Sequence, residues 1–278
     1  MFVHTETVRM AAPHLTRPYR FLHISDAHIA VAAPSDSGEA KAFANQQAKR
    51  WSLGTLTSTE AFEEVLTHVR DARPDGLLMA GDCVDYISDA NVAYMESRMA
   101  ELRACGIDPL YVYGNHEGGS YTAHIPDPRV YYPQYCALMG HTPDFWVKDY
   151  GDLLVVGVDD SDRRITLDQL EKMQAVTTNA KERGIAMLLV LHIPLYTEEL
   201  APKVLPVWGP SFMLGSLDTD PDTVHEFCRL VKAPDSPVAA IFAGHIHFAH
   251  TGEFADGRMQ YVSAPGFEGF VREIRIEP

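Results

Sequence analysis

The sequence predicts an α/β fold. Three observations point to it: short apolar runs recur along the chain, helical patterns with recognisable ends lie between them, and the final stretch changes to a β-rich pattern.

Residues 19–25 (YRFLHIS), 77–80 (LLMA), 110–113 (LYVY), 153–158 (LLVVGV), 186–191 (AMLLVL) and 238–243 (VAAIFA) are short, nearly continuous apolar runs. Runs of this kind suit strands covered on both faces, and they are expected to be core strands. Between them, Thr57-Ser-Thr-Glu60 is a capping-box sequence, followed by Phe62, Val65, Leu66 and Val69 on one helical face before Pro74. Residues 89–105 put Val92, Met95, Met99 and Leu102 on one stripe, which reads as helix core, and Gly106 suits the C-terminal cap. Thr166-Leu-Asp-Gln169 opens a third helix that ends near Gly184, and Asp220-Pro221 opens a fourth. After residue 247 the pattern shifts. Residues 248–254 and 259–264 flank Asp256-Gly257, a hairpin signal, and 270–276 alternates as a further strand.

Three stretches resist regular assignment: 30–56, rich in Ala, Ser and Gln; 118–144, with four prolines and Tyr121, Tyr131, Tyr132 and Tyr135; and 201–219, with Pro202, Pro206, Trp208, Gly209 and Pro210. Long loops in compact domains commonly wall a functional pocket, and surface packing is the competing reading. For the tyrosines, loop packing is preferred over a base-stacking platform.

The 278 residues are 46% hydrophobic and 22% charged, an ordinary globular composition. One domain over 1–278 is expected, with a β-rich C-terminal part from about 248. The net charge of −15 argues against a broad attraction to DNA, RNA or anionic lipid. An anionic substrate needs local positive charge, which bound metal ions supply economically. MFVHTETVRM has no apolar signal core, and no run has the length of a membrane span, so a soluble, cytoplasmic protein is expected. Cys83, Cys105, Cys136 and Cys228 form no CxxC pair, so neither a disulfide framework nor a thiolate zinc site is indicated; buried free thiols are expected.

Thirteen histidines invite over-reading, so position decides. Five follow an apolar strand beside a carboxylate, an amide or another histidine: His28 in Ser25-Asp-Ala-His28, His116 in Gly114-Asn-His-Glu117, His192 in Leu191-His-Ile-Pro194, and His245 and His247 in Gly244-His-Ile-His247. Gly81-Asp82 follows a strand in the same way. Donors at i and i+2 on a loop leaving a strand can share a centre, and open α/β sheets gather such loops at one edge. Each piece alone is weak.

Taken in order, Asp-x-His, Gly-Asp, Gly-Asn-His-Glu, His and Gly-His-x-His resemble the calcineurin-like metallophosphoesterase family across roughly residues 19–250. The resemblance implies a four-layer αββα sandwich, two mixed sheets packed face to face with helices outside. It also implies two metal ions. Asp26, His28 and His247 would hold one, Asn115, His192 and His245 the other, and Asp82 would bridge them. Imidazole and carboxylate donors suit Mn, Fe or Zn. Cations about 3.5–4 Å apart would lower the pKa of a shared water, which attacks as hydroxide. His116 would protonate the leaving group as general acid, with Asn115 and His116 contacting substrate. The family commonly has Asp where Glu117 stands, and a surface glutamate is the preferred reading of Glu117.

His4, His14, His68, His141 and His225 read as ordinary surface or helix residues. His23, inside the first strand, is expected to be a hydrogen-bonded core residue. His124 and His250 lie in or beside loops that can rim the site. The leading function is a phosphodiesterase on a phosphorylated small molecule, a nucleotide or phospholipid-derived diester. A phosphomonoesterase, whether protein phosphatase or nucleotidase, is the alternative. A nuclease fits the acidic charge less well, and a non-catalytic interaction protein on the same fold is disfavoured because every position of the set is occupied.

Overall fold

A strand buried on both faces needs two apolar partners, and the central strands here have them. The computed structural model describes residues 2–12, 14–52, 54–117 and 142–278. Strands β2 (Tyr19–Ile24), β3 (Gly76–Ala80) and β4 (Asp108–Val112) run parallel, and β11 (Phe270–Glu277) joins β2 antiparallel, with β1 (His4–Ala11) at the edge, giving the order β1-β11-β2-β3-β4. The second sheet is β5-β6-β7-β8-β10-β9, with β6 (Leu153–Val158), β7 (Ala186–Val190), β8 (Val238–Ala243) and β10 (Arg258–Val262) parallel and β5 (Phe145–Asp149) and β9 (His250–Ala255) antiparallel at the edges.

The alternation along each strand explains the layers. Leu22 and Ile24 of β2 pack with Phe62 and Val65 of α2 (Ser58–Ala72) and with Met95 and Met99 of α3 (Asp89–Ala104). Phe21 turns the other way, into a shared layer with Leu78, Val155, Val190 and Phe242 of both sheets. On the far side, Leu154 and Val156 meet Leu170 and Met173 of α4 (Leu167–Arg183) and Phe227 of α6 (Asp222–Lys232). The result is helices, sheet, sheet, helices, as expected. The β-rich end does not stay together: β9 and β10 extend the second sheet, while β11 returns to the first.

Local signals act where they were read. Thr57 and Thr166 both form reciprocal capping boxes, with Glu60 and Gln169, and Gly184 closes α4 with φ 66°. Asp256 and Gly257, at φ 47° and 75°, make the tight turn between β9 and β10.

Several elements lie where the sequence predicts no regular structure. Helix α1 (Gly38–Arg50) occupies part of the 30–56 stretch and buries only Ala44 and Ala48, too small an apolar stripe to read. β1 is an edge strand with most of its side chains exposed, and only Phe145 and Trp146 of β5 are buried. In 201–219 there is a short helix α5 (Ala201–Val204) and a 3₁₀ turn at Pro210–Phe212.

Two other expectations are corrected. The cysteines are not uniformly buried: Cys83 is, Cys228 is partly covered, and Cys105, capping α3, is exposed, while Cys136 lies outside the described residues. His23 is fully buried, but neither ring nitrogen has a hydrogen-bond partner among the described residues; its ring meets Phe242 edge-on at 5.4 Å, and burial together with Arg272 keeps it neutral.

Candidate metal centre

The C-terminal ends of five parallel strands converge on one edge. Asp26 and His28 follow β2, Asp82 follows β3, Asn115 and His116 follow β4, His192 follows β7, and His245 and His247 follow β8. Both sheets therefore contribute, as ligand sites at strand ends in α/β folds do. Backbone bonds lock the loops together: Asp26 N–H donates to Gly81 O at 3.0 Å, His28 N–H to Asp82 O at 2.9 Å, and Gly244 N–H to His192 O at 2.9 Å.

Asp26, His28, Asp82, His245 and His247 all lie in the left-handed region, with φ between 47° and 73°. A non-glycine residue held there costs on the order of 1–3 kcal/mol, and such residues gather where function demands a particular aim. The adjoining glycines are needed for clearance. A Cβ on Gly114 would stand 2.2 Å from Asp82 Oδ1, and one on Gly244 would stand 1.6 Å from Ser25 Oγ.

Two groups of donors result. In the first, His247 Nε2 is 3.3 Å from Asp26 Oδ1 and 3.1 Å from His28 Nε2. In the second, His192 Nε2 is 3.0 Å from Asn115 Oδ1, 3.2 Å from Asp82 Oδ2 and 3.2 Å from His245 Nδ1. Asp82 Oδ2 is also 3.9 Å from His28 Nε2, so it lies between the groups. His192 Nδ1–H donates to Ala80 O at 2.7 Å, so Nε2, without its proton, turns a lone pair toward three other electron-pair donors. That convergence repels unless a cation sits within it. Nitrogen and oxygen donors without thiolate fit Mn, Fe or Zn. Asp26, His28 and His192 are fully buried.

Electrostatics set the imidazoles apart. Burial pushes His28 down, and burial with the neighbouring His192 pushes His245 to about 3. His192 goes up to about 10, because Asp82 and Asp26 outweigh its burial. Asp26 is held at about 2, its burial outweighed by His247 and His192. These histidines cannot all carry protons together.

Around the donors stands a second row that the sequence reading largely missed. Asp85 Oδ1 lies 3.3 Å from His28 Nδ1 and 3.3 Å from His116 Nδ1, and it accepts Trp51 Nε1–H at 2.6 Å. His116 Nδ1–H also donates to Asp85 O at 2.6 Å, and His116 N–H donates to Asp82 Oδ1 at 2.8 Å. Asp82 and Asp85 outweigh burial and raise His116 to about 9. Asp160 accepts His192 N–H at 2.9 Å and is pushed up to about 7 by burial. Asp160 nearly abuts the apolar run of β6, the same signal that singled out Asp82 and one that was available to find it.

Glu117 corrects the surface reading. Only 1% exposed, it accepts the N–H groups of Asp82 at 2.9 Å, Val84 at 3.0 Å and Gly114 at 2.8 Å, together with the Tyr111 hydroxyl. Burial and Asp82 raise its carboxyl, while these donors pull the other way.

A cavity of about 220 Å³ opens over Asp82, Asn115, His116, His245 and His247. Gln47, Arg50 and Trp51 wall it from the 30–56 stretch, and Trp208 and Phe212 from 201–219. His250 lies in β9, 3.1 Å from Lys203 Nζ, and does not line this cavity; His124 and nearly all of 118–144 lie outside the described residues.

Residues 19–249 match the sequence pattern of the calcineurin-like phosphoesterases. Among solved structures, the chain is similar to a dimetal phosphatase from Danio rerio at 14% identity and TM-score 0.55, covering 90% of this chain and 88% of that one. It is also similar to a putative 5'-nucleotidase from Staphylococcus aureus at 12% identity and TM-score 0.48, covering 90% and 49%, and to a 5'-nucleotidase from Candida albicans at 14% identity and TM-score 0.46, covering 92% and 47%. The chain spans about half the length of these two nucleotidases. No curated protein matches it. The Danio rerio structure shares its fold. Because the family match runs from β2 through the loop after β8, the chain belongs to the calcineurin-like phosphoesterase family and is a metal-dependent phosphoester hydrolase.

Proposed function

We propose that the chain is a two-metal phosphodiesterase acting on a small-molecule or nucleotide ester. In this reading Asp26, His28 and His247 hold one cation, Asn115, His192 and His245 hold the other, and Asp82 bridges. The observation that carries it is the position of Asp82 Oδ2, 3.2 Å from His192 Nε2 and 3.9 Å from His28 Nε2, where one carboxylate oxygen faces both donor groups. Two cations held by these residues would supply Lewis acidity toward the phosphoryl group and would acidify a water.

The chain itself positions substrate and moves the proton. Asn115 and His116 border the cavity, and His116 is the general acid. With Nδ1 held by Asp85 O at 2.6 Å, proton delivery to the departing alkoxide falls to Nε2. Walls on two sides of the donor groups, at Trp51 and at Trp208, give both arms of a diester a surface to lie on, which favours a diester over a monoester.

Residues 1–278 are read as one domain, in which β1 and β11 pair the two ends of the chain. Among the described residues no helix is long and apolar enough to cross a membrane. The free thiols of Cys83, Cys105 and Cys228 fit the proposed reducing, cytoplasmic setting. The test is a panel of bis-p-nitrophenyl phosphate, p-nitrophenyl phosphate, cyclic nucleotides, phosphopeptides and an oligonucleotide. Preferential cleavage of small diesters is expected. Strong preference for monoesters overturns the diester assignment, and salt-sensitive cleavage of the oligonucleotide favours a nuclease.

A further inference from the structure

We propose that the substrate carries a planar, N–H-bearing ring, of nucleobase size, which seats against Trp51 and the Trp208–Phe212 pair in the cavity over the metal centre. The proposal deepens the phosphoesterase reading above and rests on it for the position of the reacting phosphate.

The walls are flat and held in place. Trp51 stacks on His28 with ring centres 4.4 Å apart and planes 21° from parallel, and its Nε1–H is bound by Asp85 Oδ1 at 2.6 Å. Across from it, Phe212 stacks on His245 at 4.5 Å and 20°, and Trp208 stacks on Phe212 at 5.1 Å and 21°, with Trp208 Nε1–H bound by Ile246 O at 2.9 Å. Each column thus begins on a histidine of the donor groups and runs outward as a stack of rings. His247 meets Trp51 at 5.2 Å and Trp208 at 6.0 Å, edge to face in both cases, and stands between the columns. Rings fixed by packing and by a hydrogen bond lose little freedom when another flat ring stacks on them, whereas a flexible acyl chain must be ordered to cover the same surface.

Two polar groups sharpen the choice. Gln47 Oε1 is buried at the cavity wall with no hydrogen-bond partner among the described residues, an acceptor that a ring N–H would satisfy. Arg50 is the one lysine or arginine among the described lining residues; its guanidinium stands 5.2 Å from the Trp51 ring centre, at the rim, where it meets the negative charge of the ester. Trp208 is 36% exposed, with Leu205 and Val207 exposed beside it, and a bound ring would cover its indole.

The test compares inhibition constants against whichever chromogenic ester the enzyme turns over, diester or monoester. The competitors are uridine 5'-monophosphate, ribose 5-phosphate, which lacks only the ring, and octyl phosphate, which offers a flexible apolar arm. Base–aromatic stacking predicts that the uridine compound binds about tenfold more tightly than either of the others. The gap should shrink below about twofold in Trp208→Ala and return in Trp208→Phe, since stacking on this wall is its source. Equal inhibition by the uridine and ribose compounds in the unmodified enzyme overturns the proposal. So does octyl phosphate matching the uridine compound, or a gap unchanged in Trp208→Ala. The identity of the ester that is turned over judges the diester reading separately.

Discussion

The carboxylate of Glu117 holds the backbone of Asp82: its Oε2 accepts Asp82 N–H at 2.9 Å and Gly114 N–H at 2.8 Å, tying the loop after β3 to the loop after β4. Asp82 sits at φ 51°, and this carboxylate is part of what keeps it there. Glu117→Ala leaves three buried N–H groups without an acceptor. At about 1–3 kcal/mol for each, softened where water enters, it should lower stability by roughly 3 kcal/mol and weaken metal retention. Urea unfolding with metal analysis checks this. A loss under about 0.5 kcal/mol would mean the three bonds are not holding the loops.

Gly114 tests clearance. An added Cβ would lie 2.2 Å from Asp82 Oδ1 and 2.4 Å from Asp82 N. Gly114→Ala should therefore displace the Asp82 carboxylate and cut hydrolysis, with far-ultraviolet circular dichroism unchanged. Full activity in a folded Gly114→Ala would contradict the placement of Asp82.

The role given to His116 depends on the leaving group. His116→Ala should slow cleavage of an alkyl diester by about 10²–10⁴-fold, and slow release of p-nitrophenolate far less, because that anion leaves without a proton. Asp85→Asn, which removes the carboxylate charge 3.3 Å from His116 Nδ1 while leaving the backbone Asp85 O in place, should cost about 10–100-fold on the alkyl ester. Equal losses on both esters would remove His116 from proton transfer.

Away from the site, Asp152 joins the two sheets. It accepts Thr16 N–H at 2.6 Å and the Tyr19 hydroxyl at 2.5 Å. Its burial opposes ionisation, but the bonds from Thr16 and Tyr19 prevail and hold it at about 2, below its ordinary 3.8. A carboxyl depressed on folding stabilises above the unfolded value and loses that contribution as pH falls through the folded one. Asp152→Asn should therefore cost about 1 kcal/mol at pH 7, discounted because the group is partly in water, and the gap should narrow between pH 4 and pH 2. Urea midpoints measured across this range check it; a gap that widens toward pH 2 contradicts the assignment.

How much of this was legible in the sequence follows from where each signal resides. Asp26, His28, Asp82 and His192 stand just after short apolar runs, so strand position and donor chemistry coincide in a few residues. The capping boxes at Thr57 and Thr166 are equally local. Glu117 was misread because its partners are backbone N–H groups of the β3 loop and of Gly114, which composition does not reveal. Helix α1 escaped because Ala44 and Ala48 are its only buried residues. Trp51 and Trp208 are far apart in sequence, and only the folded loops bring them to one cavity.

Metal stoichiometry tests the central claim most directly. Metal analysis of the purified protein should give two ions per chain, with hydrolysis abolished by chelation and restored by Mn, Fe or Zn, and His192→Ala should retain one ion and lose activity. A protein that binds no metal, or that hydrolyses phosphoesters equally well after complete metal removal, would contradict the account.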